Sequence, residues 1–289
     1  MSAMNQTHAM KPGSQMPAET NPQPTIPTIL WITWFTGREM ARRKWLLSLA
    51  MINLLPVLVV LAVRLWAGSE AFTAQVQLAG LSHDVYIRFL IPVMAMAVGI
   101  PAISEQIGSG TIVFMWTRPI KRRAIYLGRL FAAQLVSTLL MSGGLILCFM
   151  IMVSKGPEII TFEFIKLYVM TFFLIALGAF TYTAVDAAMG TFFKKPVLPA
   201  ILWALGWENM VTSIPARVQE LSLRFHLQNL IERPPVQADD LTGILGAILS
   251  TAFTRDPVPK LQSVAVLLVV MVVAIAVGAW LLRHKEIEK

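Results

Sequence analysis

The chain has 289 residues, of which 56% are hydrophobic and only 14% are charged. A soluble domain carries about 25% charged residues, so this composition excludes a soluble globular protein and predicts an all-α polytopic membrane protein. The formal net charge of +8 then reflects Lys and Arg in cytoplasmic loops, and we expect no nucleic-acid partner.

The residue inventory offers little for catalysis. The single cysteine, Cys148, cannot form an intrachain disulfide, and the four histidines are scattered along the sequence. No His pair has the spacing of metal ligands, and the sequence has no credible nucleophile triad. We therefore expect no metal, no bound cofactor and no enzymatic activity in this chain.

The N-terminal region divides into a tail and a helix. Residues 1–27 are rich in Pro, Gln, Thr and Asn without apolar periodicity, which predicts a disordered tail. Residues 28–44 have the pattern of an amphipathic helix that lies in the membrane interface, and the alternative is an N-terminal extension of the first span. Its apolar face and its cations are Leu30, Trp31, Trp34, Phe35, Arg38, Arg42, Arg43 and Lys44.

Six apolar runs are long enough to cross about 30 Å of hydrocarbon at about 1.5 Å per residue. Pro92 and Pro101 are expected to kink the second run. The outer loop 215–261 has helical patterning and an apolar run too short to span, which predicts a re-entrant or interfacial helix. The predicted spans are 45–66, 86–104, 127–153, 164–188, 196–214 and 262–282.

The distribution of Lys and Arg sets the orientation of these spans. If both termini are cytoplasmic, most Lys and Arg residues of the short loops and chain ends lie on the inner side of the membrane. The positive-inside rule favours this orientation. The segment 105–126 between spans two and three is then cytoplasmic. The inner cations are Lys11, Arg38, Arg42, Arg43, Lys44, Arg118, Lys121, Arg122, Arg123, Arg129, Lys194, Lys195, Arg283, Lys285 and Lys289.

Segment 105–126 interrupts the apolar pattern with glycines and cations. A Walker A loop needs a Lys that reaches the phosphates, and none follows Gly108 at that spacing, so we expect no ATP hydrolysis by this chain alone. The apolar run 110–116 predicts a short helix against the membrane or a partner. Pro119 suits the first position of a helix leading into span three. The alternative is a loop whose cations only fix topology.

The same segment resembles the signature between the second and third spans of type-2 ATP-binding-cassette (ABC) transporter permeases. The N-terminal Arg38-Glu39 and Arg42-Arg43 resemble the interfacial helix of that family, and residues 207–230 resemble the end of the fifth span in one branch of it. The resemblance covers about residues 28–289. The residues that carry the signature are Glu105, Gly110, Thr111, Thr117, Arg118, Pro119, Ile120, Tyr126 and Gly128, with a basic pair.

The resemblance implies a permease domain, 28–289, with six spans, an N-terminal interfacial helix and a cytoplasmic coupling helix. It implies pairing with a second permease copy or paralogue, two separate cytoplasmic ATPase subunits that use ATP, and export across the plasma or inner membrane. The residues it implies in coupling are Glu105, Gly110, Thr111, Arg118, Pro119, Lys121 and Arg122. Those of the interfacial helix are Arg38, Glu39 and Arg42, beside Trp31 and Trp34 of its apolar face.

Two acidic residues lie inside predicted spans. Glu208 in span five is a functional candidate because an intramembrane charge is costly; alternatively it meets the outer interface and pairs with Arg217 or Arg224. Asp186 is expected to be solvated at the end of span four or to pair with Lys194.

Three classes of function are compatible with a multi-pass chain. A permease with separate ATPase subunits is the first hypothesis, and a non-transporting anchor or sensor that docks a cytoplasmic partner is the second. A membrane-embedded enzyme lacks support, because the two intramembrane acids lie alone at opposite ends of their spans.

Overall fold

The computed structural model describes residues 25–66, 78–108, 121–154, 161–213, 217–231 and 258–284. All regular secondary structure in these ranges is helical, which confirms the predicted all-α class. Outside the described residues lie the tail up to residue 24, the short helix predicted at 110–116 and the apolar run of the 215–261 loop. The coupling residues Gly110, Thr111, Arg118 and Pro119 also lie outside them.

Within these ranges, five helical stretches are long and apolar enough to cross a membrane. A shorter helix α7 covers residues 197–213 between the fourth and the last of them. The other α-helices are α1 (Thr25–Ala41), α2 (Trp45–Asn53) with α3 (Leu55–Trp66), α4 (Leu78–Gly108), α5 (Arg122–Val153), α6 (Phe162–Phe192), α8 (Leu223–Leu230) and α9 (Lys260–His284). A short 3₁₀ helix, Arg217–Leu221, precedes α8.

Helix α1 is separate from the first membrane-spanning stretch. It ends at Ala41, and residues 42–44 turn before α2 begins at Trp45. The alternative of a continuous extension of the first span is therefore wrong. Residues 25–27, which the sequence pattern assigns to the tail, are the first residues of this helix.

Helix α4 begins at Leu78, well before the span predicted at 86–104. Its first part is polar in sequence, but the polar groups are paired: the Ser82 hydroxyl donates to the Leu78 carbonyl at 2.7 Å. The His83 Nε2 lies 2.7 Å from the Ile231 carbonyl oxygen. Residues Leu81–Leu90 form a π-helical segment, a form often found at functional sites.

The predicted span 196–214 corresponds to α7, which is interrupted. A π-helical segment, Leu202–Trp207, lies between its two α-helical ends. At about 1.5 Å per residue the helix covers about 25 Å, short of the roughly 30 Å of a hydrocarbon core. The sixth crossing therefore stays a prediction, while five crossings are supported.

The α4–α6 pair forms the centre of the bundle. Glycines on both helices permit the close approach: a Cβ at Gly99 would lie 3.1 Å from the Thr183 carbonyl oxygen, and one at Gly190 would lie 3.0 Å from that of Ile100. Small residues serve this purpose between membrane helices because lipid gives no hydrophobic drive for association. The first span and α9 lie at the periphery, with 22% and 17% of their apolar windows buried.

Helix α1 packs against the beginning of α5 across one glycine. A Cβ at Gly128 would lie 2.7 Å from the Cβ of Ile32, and the Thr33 hydroxyl donates to the Gly128 carbonyl oxygen at 3.1 Å. Only the missing side chain lets the two backbones come this close.

We expect Gly128→Ala to weaken this contact. The added methyl overpacks the α1–α5 interface, at a cost of about 1–3 kcal/mol, which thermal unfolding in mild detergent would measure. Gly143→Ala is the matched control, because a Cβ at Gly143 meets no atom within 4 Å. Ile32→Ala should not rescue Gly128→Ala, because alanine keeps the Cβ that the new methyl meets at 2.7 Å. Equal melting temperatures of the Gly128→Ala and Gly143→Ala proteins would contradict the packing.

Candidate functional site

Charged side chains from three elements meet where α4 ends and α5 begins. Glu39 lies on α1, Arg43 in the turn after it, Glu105 in the last turn of α4 and Arg129 in the second turn of α5. We call these four residues the ion cluster. The family resemblance implies a role for Glu105 in coupling and for Glu39 in the interfacial helix. The structure brings these two residues together through Arg43.

Arg43 bridges two carboxylates. Its Nη2 lies 2.6 Å from Oε1 of Glu39, and its Nη1 donates to Oε2 of Glu105. Hydrogen bonds to Glu39 and then Glu105 raise the pKa of Arg43, so the guanidinium stays charged. The sequence pattern assigns Arg43 to lipid headgroups, whereas the structure directs it to protein carboxylates. A bridge from α1 to the end of α4 results.

Arg129 is the buried member of the cluster, with 3% of its surface exposed. Its Nη1 donates to the Ala102 carbonyl at 3.0 Å, and its Nη2 lies 3.7 Å from Oε2 of Glu39. With the Gln106 amide oxygen turned towards the guanidinium, both Nη atoms also donate to it, at 3.0 and 3.3 Å. Arg129 therefore ties α5 to both α4 and α1.

Sequence reasoning counts Arg129 only as a topology-setting cation. The available signal was its position two turns inside a long apolar helix, since a charge at such a place is usually buried and paired. Its hydrogen-bond partners, the Ala102 carbonyl and the Gln106 amide, are uncharged, and its charged partner Glu39 lies on a distant helix of the sequence, so no local pattern pairs them.

Helix α5 follows segment 109–120 in the chain. Lys121 is extended and α5 begins at Arg122, so the helix predicted to start at Pro119 starts later. Arg122 donates from Nη1 to the Arg283 carbonyl at 3.1 Å, which joins the beginning of α5 to the end of α9. Lys121 and Arg122 are both exposed.

The ion cluster sets geometry more than stability. Arg43 and Glu105 are 31% and 42% exposed, and such solvent-screened pairs contribute about 0.2–1 kcal/mol. Removing the buried guanidinium of Arg129 should cost more stability, because the polar groups around it would be left without a donor.

Apart from Glu39 of the ion cluster, the residues predicted in the interfacial helix are exposed on α1 and in the turn that follows it. Trp31 and Trp34 are 61% and 72% exposed, and the Trp31 ring stacks on Phe35 with centroids 5.6 Å apart. Arg38 and Arg42 are also exposed. An apolar face turned away from the bundle is compatible with a membrane-interface position, which stays a prediction.

Glu208 caps the N-terminus of α8. Its side chain is 1% exposed, and its two oxygens accept from the Leu223 and Arg224 backbone N–H groups at 3.2 and 3.1 Å and from the Ser222 hydroxyl. Ser222 itself accepts from the Phe225 N–H at 3.3 Å. A carboxylate is favourable there because the first N–H groups of a helix have no partner within it.

Arg224 completes this second site, which we call the polar cluster: Glu208, Asn209, Ser222 and Arg224. The Arg224 guanidinium donates to the Asn209 side-chain oxygen and to the Arg88 carbonyl of α4. Arg224 is thus a neighbour of Glu208, as one alternative expected, but the carboxylate accepts from its backbone N–H rather than pairing with its guanidinium. The cluster fastens α8 to α7 and α4.

The interpretation of Asp186 as a solvated boundary residue is wrong. The residue is fully buried, and neither carboxylate oxygen has a hydrogen-bond partner within the described part of the chain. It faces α4, where a Cβ at Gly99 would lie 3.2 Å from its own Cβ. The close glycine packing of α4 on α6 turns this position into the core.

Comparison with known protein families gives a match over nearly the whole chain. A family model described as ABC-2 family transporter protein matches residues 9–287. The match includes every described element, the ion cluster and the polar cluster. Among curated proteins, none is significantly similar to the chain.

We expect Glu208→Gln to destabilise the fold. The amide keeps one acceptor oxygen and turns an NH2 group towards the N–H donors of α8, at a cost of about 1–3 kcal/mol. Thermal unfolding in mild detergent would measure it. Asp84→Asn is the matched control, because it removes an acid that is 62% exposed. An unchanged melting temperature for Glu208→Gln would show that the carboxylate is not a structural cap.

Proposed function

The chain belongs to the ABC-2 family of transporter proteins, and from this premise we propose that it forms the substrate pathway of an exporter driven by separate cytoplasmic ATPase subunits. As a member it is an ABC transporter permease, a multi-pass membrane subunit of a family that associates with ABC ATPases. One observation carries the finer proposal: Arg43 joins α1 to Glu105 in the last turn before segment 109–120.

Segment 109–120 is the proposed contact with the ATPase. Gly110, Thr111, Arg118 and Pro119 lie in it, and Lys121 and Arg122 follow directly. On the α4 side it is attached through Glu105 and Arg43 to α1. On the α5 side it is attached through Arg122 to the end of α9. A displacement by the partner is therefore transmitted to α1, α4, α5 and α9 together.

Coupling then follows from differential contact. ATP-bound partners must favour one conformation of the permease over the other, since a ligand that binds both states equally shifts nothing. This chain contributes no ATP chemistry in the proposal: the nucleotide is bound and hydrolysed by the partner. A second permease copy or paralogue completes the pathway, with both termini cytoplasmic in the plasma or inner membrane.

The ion cluster should control ATPase stimulation. In nanodiscs with the cognate ATPase, Arg43→Gln should leave binding intact and lower permease-stimulated ATP hydrolysis by about fivefold or more, the low end of allosteric coupling. The exchange Arg43→Glu with Glu105→Arg should restore much of the loss. Lys44→Gln is the control, because this neighbouring cation is exposed.

Two outcomes would overturn the assignment. Equal stimulation by the Arg43→Gln and Lys44→Gln proteins would separate the ion cluster from coupling. A wild-type chain that binds the ATPase without changing its rate of hydrolysis would support the anchor or sensor alternative.

The orientation has its own test. With Cys148→Ala removing the single cysteine, Lys121→Cys gives one exposed thiol beside the proposed contact segment. In intact cells a membrane-impermeant maleimide should fail to label it, and should label it after permeabilisation. Asp84→Cys, at an exposed position towards the other end of α4, is the control and should be labelled in intact cells. Labelling of Lys121→Cys in intact cells would reverse the topology.

A further inference from the structure

An open groove runs between the C-terminal halves of α6 and α9. Its cavity is about 330 Å³, and apolar side chains line it. The lining residues include Val185, Ala188 and Phe192 of α6, and Val273, Val277 and Leu281 of α9. The pathway and coupling proposal above does not use this groove.

The groove is about one leaflet deep. Its α9 lining runs from Val270 to Leu281, which covers about 16 Å at about 1.5 Å per residue. Half of a hydrocarbon core of about 30 Å is nearly the same length. A single extended acyl chain therefore matches the groove in polarity and in length.

Aromatic residues line one end of the groove, and basic residues follow it there. Phe192 and Phe193 pack edge to face with centroids 4.8 Å apart, and exposed Lys195 comes two residues later. On α9, Arg283 lies two residues after Leu281 and is exposed. An apolar groove that ends in aromatic residues and cations is typical of the boundary between the hydrocarbon core and the lipid headgroups.

We propose that this groove binds one acyl chain of an anionic phospholipid, whose phosphate is held by Lys195 and Arg283. Each Lys or Arg near an anionic headgroup strengthens binding affinity by about fivefold. Two cations therefore favour an anionic lipid strongly over a zwitterionic one. In the topology of the proposed function, this end of the groove lies in the cytoplasmic leaflet, and that assignment rests on the proposed function. The lipid site itself does not rest on it, because the groove and both cations are found at the C-terminal ends of α6 and α9 in either orientation.

A second copy of the chain fits this surface less well. Symmetric pairing through the groove would bring Lys195 and Arg283 towards the same cations of the partner, and facing like charges oppose association. The lipid phosphate instead supplies the missing negative charge.

Native mass spectrometry of the delipidated chain tests the proposal. Titrated with phosphatidylglycerol or phosphatidylcholine, the wild-type chain should retain one phosphatidylglycerol with at least a tenfold preference. Val277→Trp fills the groove and should abolish the retained lipid of either kind. Lys195→Gln with Arg283→Gln should keep lipid binding and lose the headgroup preference.

Two matched controls accompany these variants. Val272→Trp places the same bulk on an exposed position of α9 outside the groove, and Lys44→Gln removes an exposed cation elsewhere; both should bind as wild type. Equal retention by the Val277→Trp and Val272→Trp proteins would overturn the site. Equal affinity of the wild type for both lipids would overturn the headgroup assignment.

Cross-linking of two single-cysteine variants tests whether a second copy of the chain occupies the groove instead. In the Cys148→Ala background, Val277→Cys should cross-link between chains no faster than Val272→Cys; faster cross-linking would replace the lipid by a second copy. No ATPase enters any of these measurements. Failure of lipid binding would therefore leave the coupling proposal standing, and failure of coupling would leave the lipid site standing.

Discussion

The buried guanidinium of Arg129 is the constraint on which this end of the bundle depends. A charge with 3% of its surface exposed must be supplied with acceptors, because an unpaired buried charge is far too costly to keep. The acceptors come from Ala102 and Gln106 on α4, and Glu39 on α1 adds an ion pair. The register of α4 against α5 and the docking of α1 are thereby fixed together.

The packing of α4 on α6 explains why motion would travel through this cluster. Backbone contacts at Gly99 and Gly190 leave little room for the two helices to shift, and close-packed cores do not deform continuously. The peripheral first span and α9 bury little surface. A force applied beside Glu105 would therefore move α4 and α6 as one rigid unit, and α1 with the first turns of α5 would follow through the ion cluster.

Length and hydropathy were enough to predict the long helices α5, α6 and α9, since an uninterrupted apolar run has few other structures available in a membrane. Length and hydropathy gave wrong predictions where contacts with distant residues determine the structure. Helix α4 begins early because Ser82 and His83 find acceptors in the fold. Glu208 is a cap because the N-terminus of α8, fourteen residues further on, folds back onto it; no local pattern records that return.

The two polar sites are connected by one helix. Arg129 donates to the Ala102 carbonyl near one end of α4, and Arg224 donates to the Arg88 carbonyl near the other. Each arginine is buried and comes from a different element, so each fixes α4 to its surroundings at that point. The π-helical segment Leu81–Leu90 includes the second attachment. A displacement of α4 at the proposed coupling end would therefore either break the Arg224 contact or carry α8 and the Glu208 cap with it, which would link the two ends of the permease mechanically.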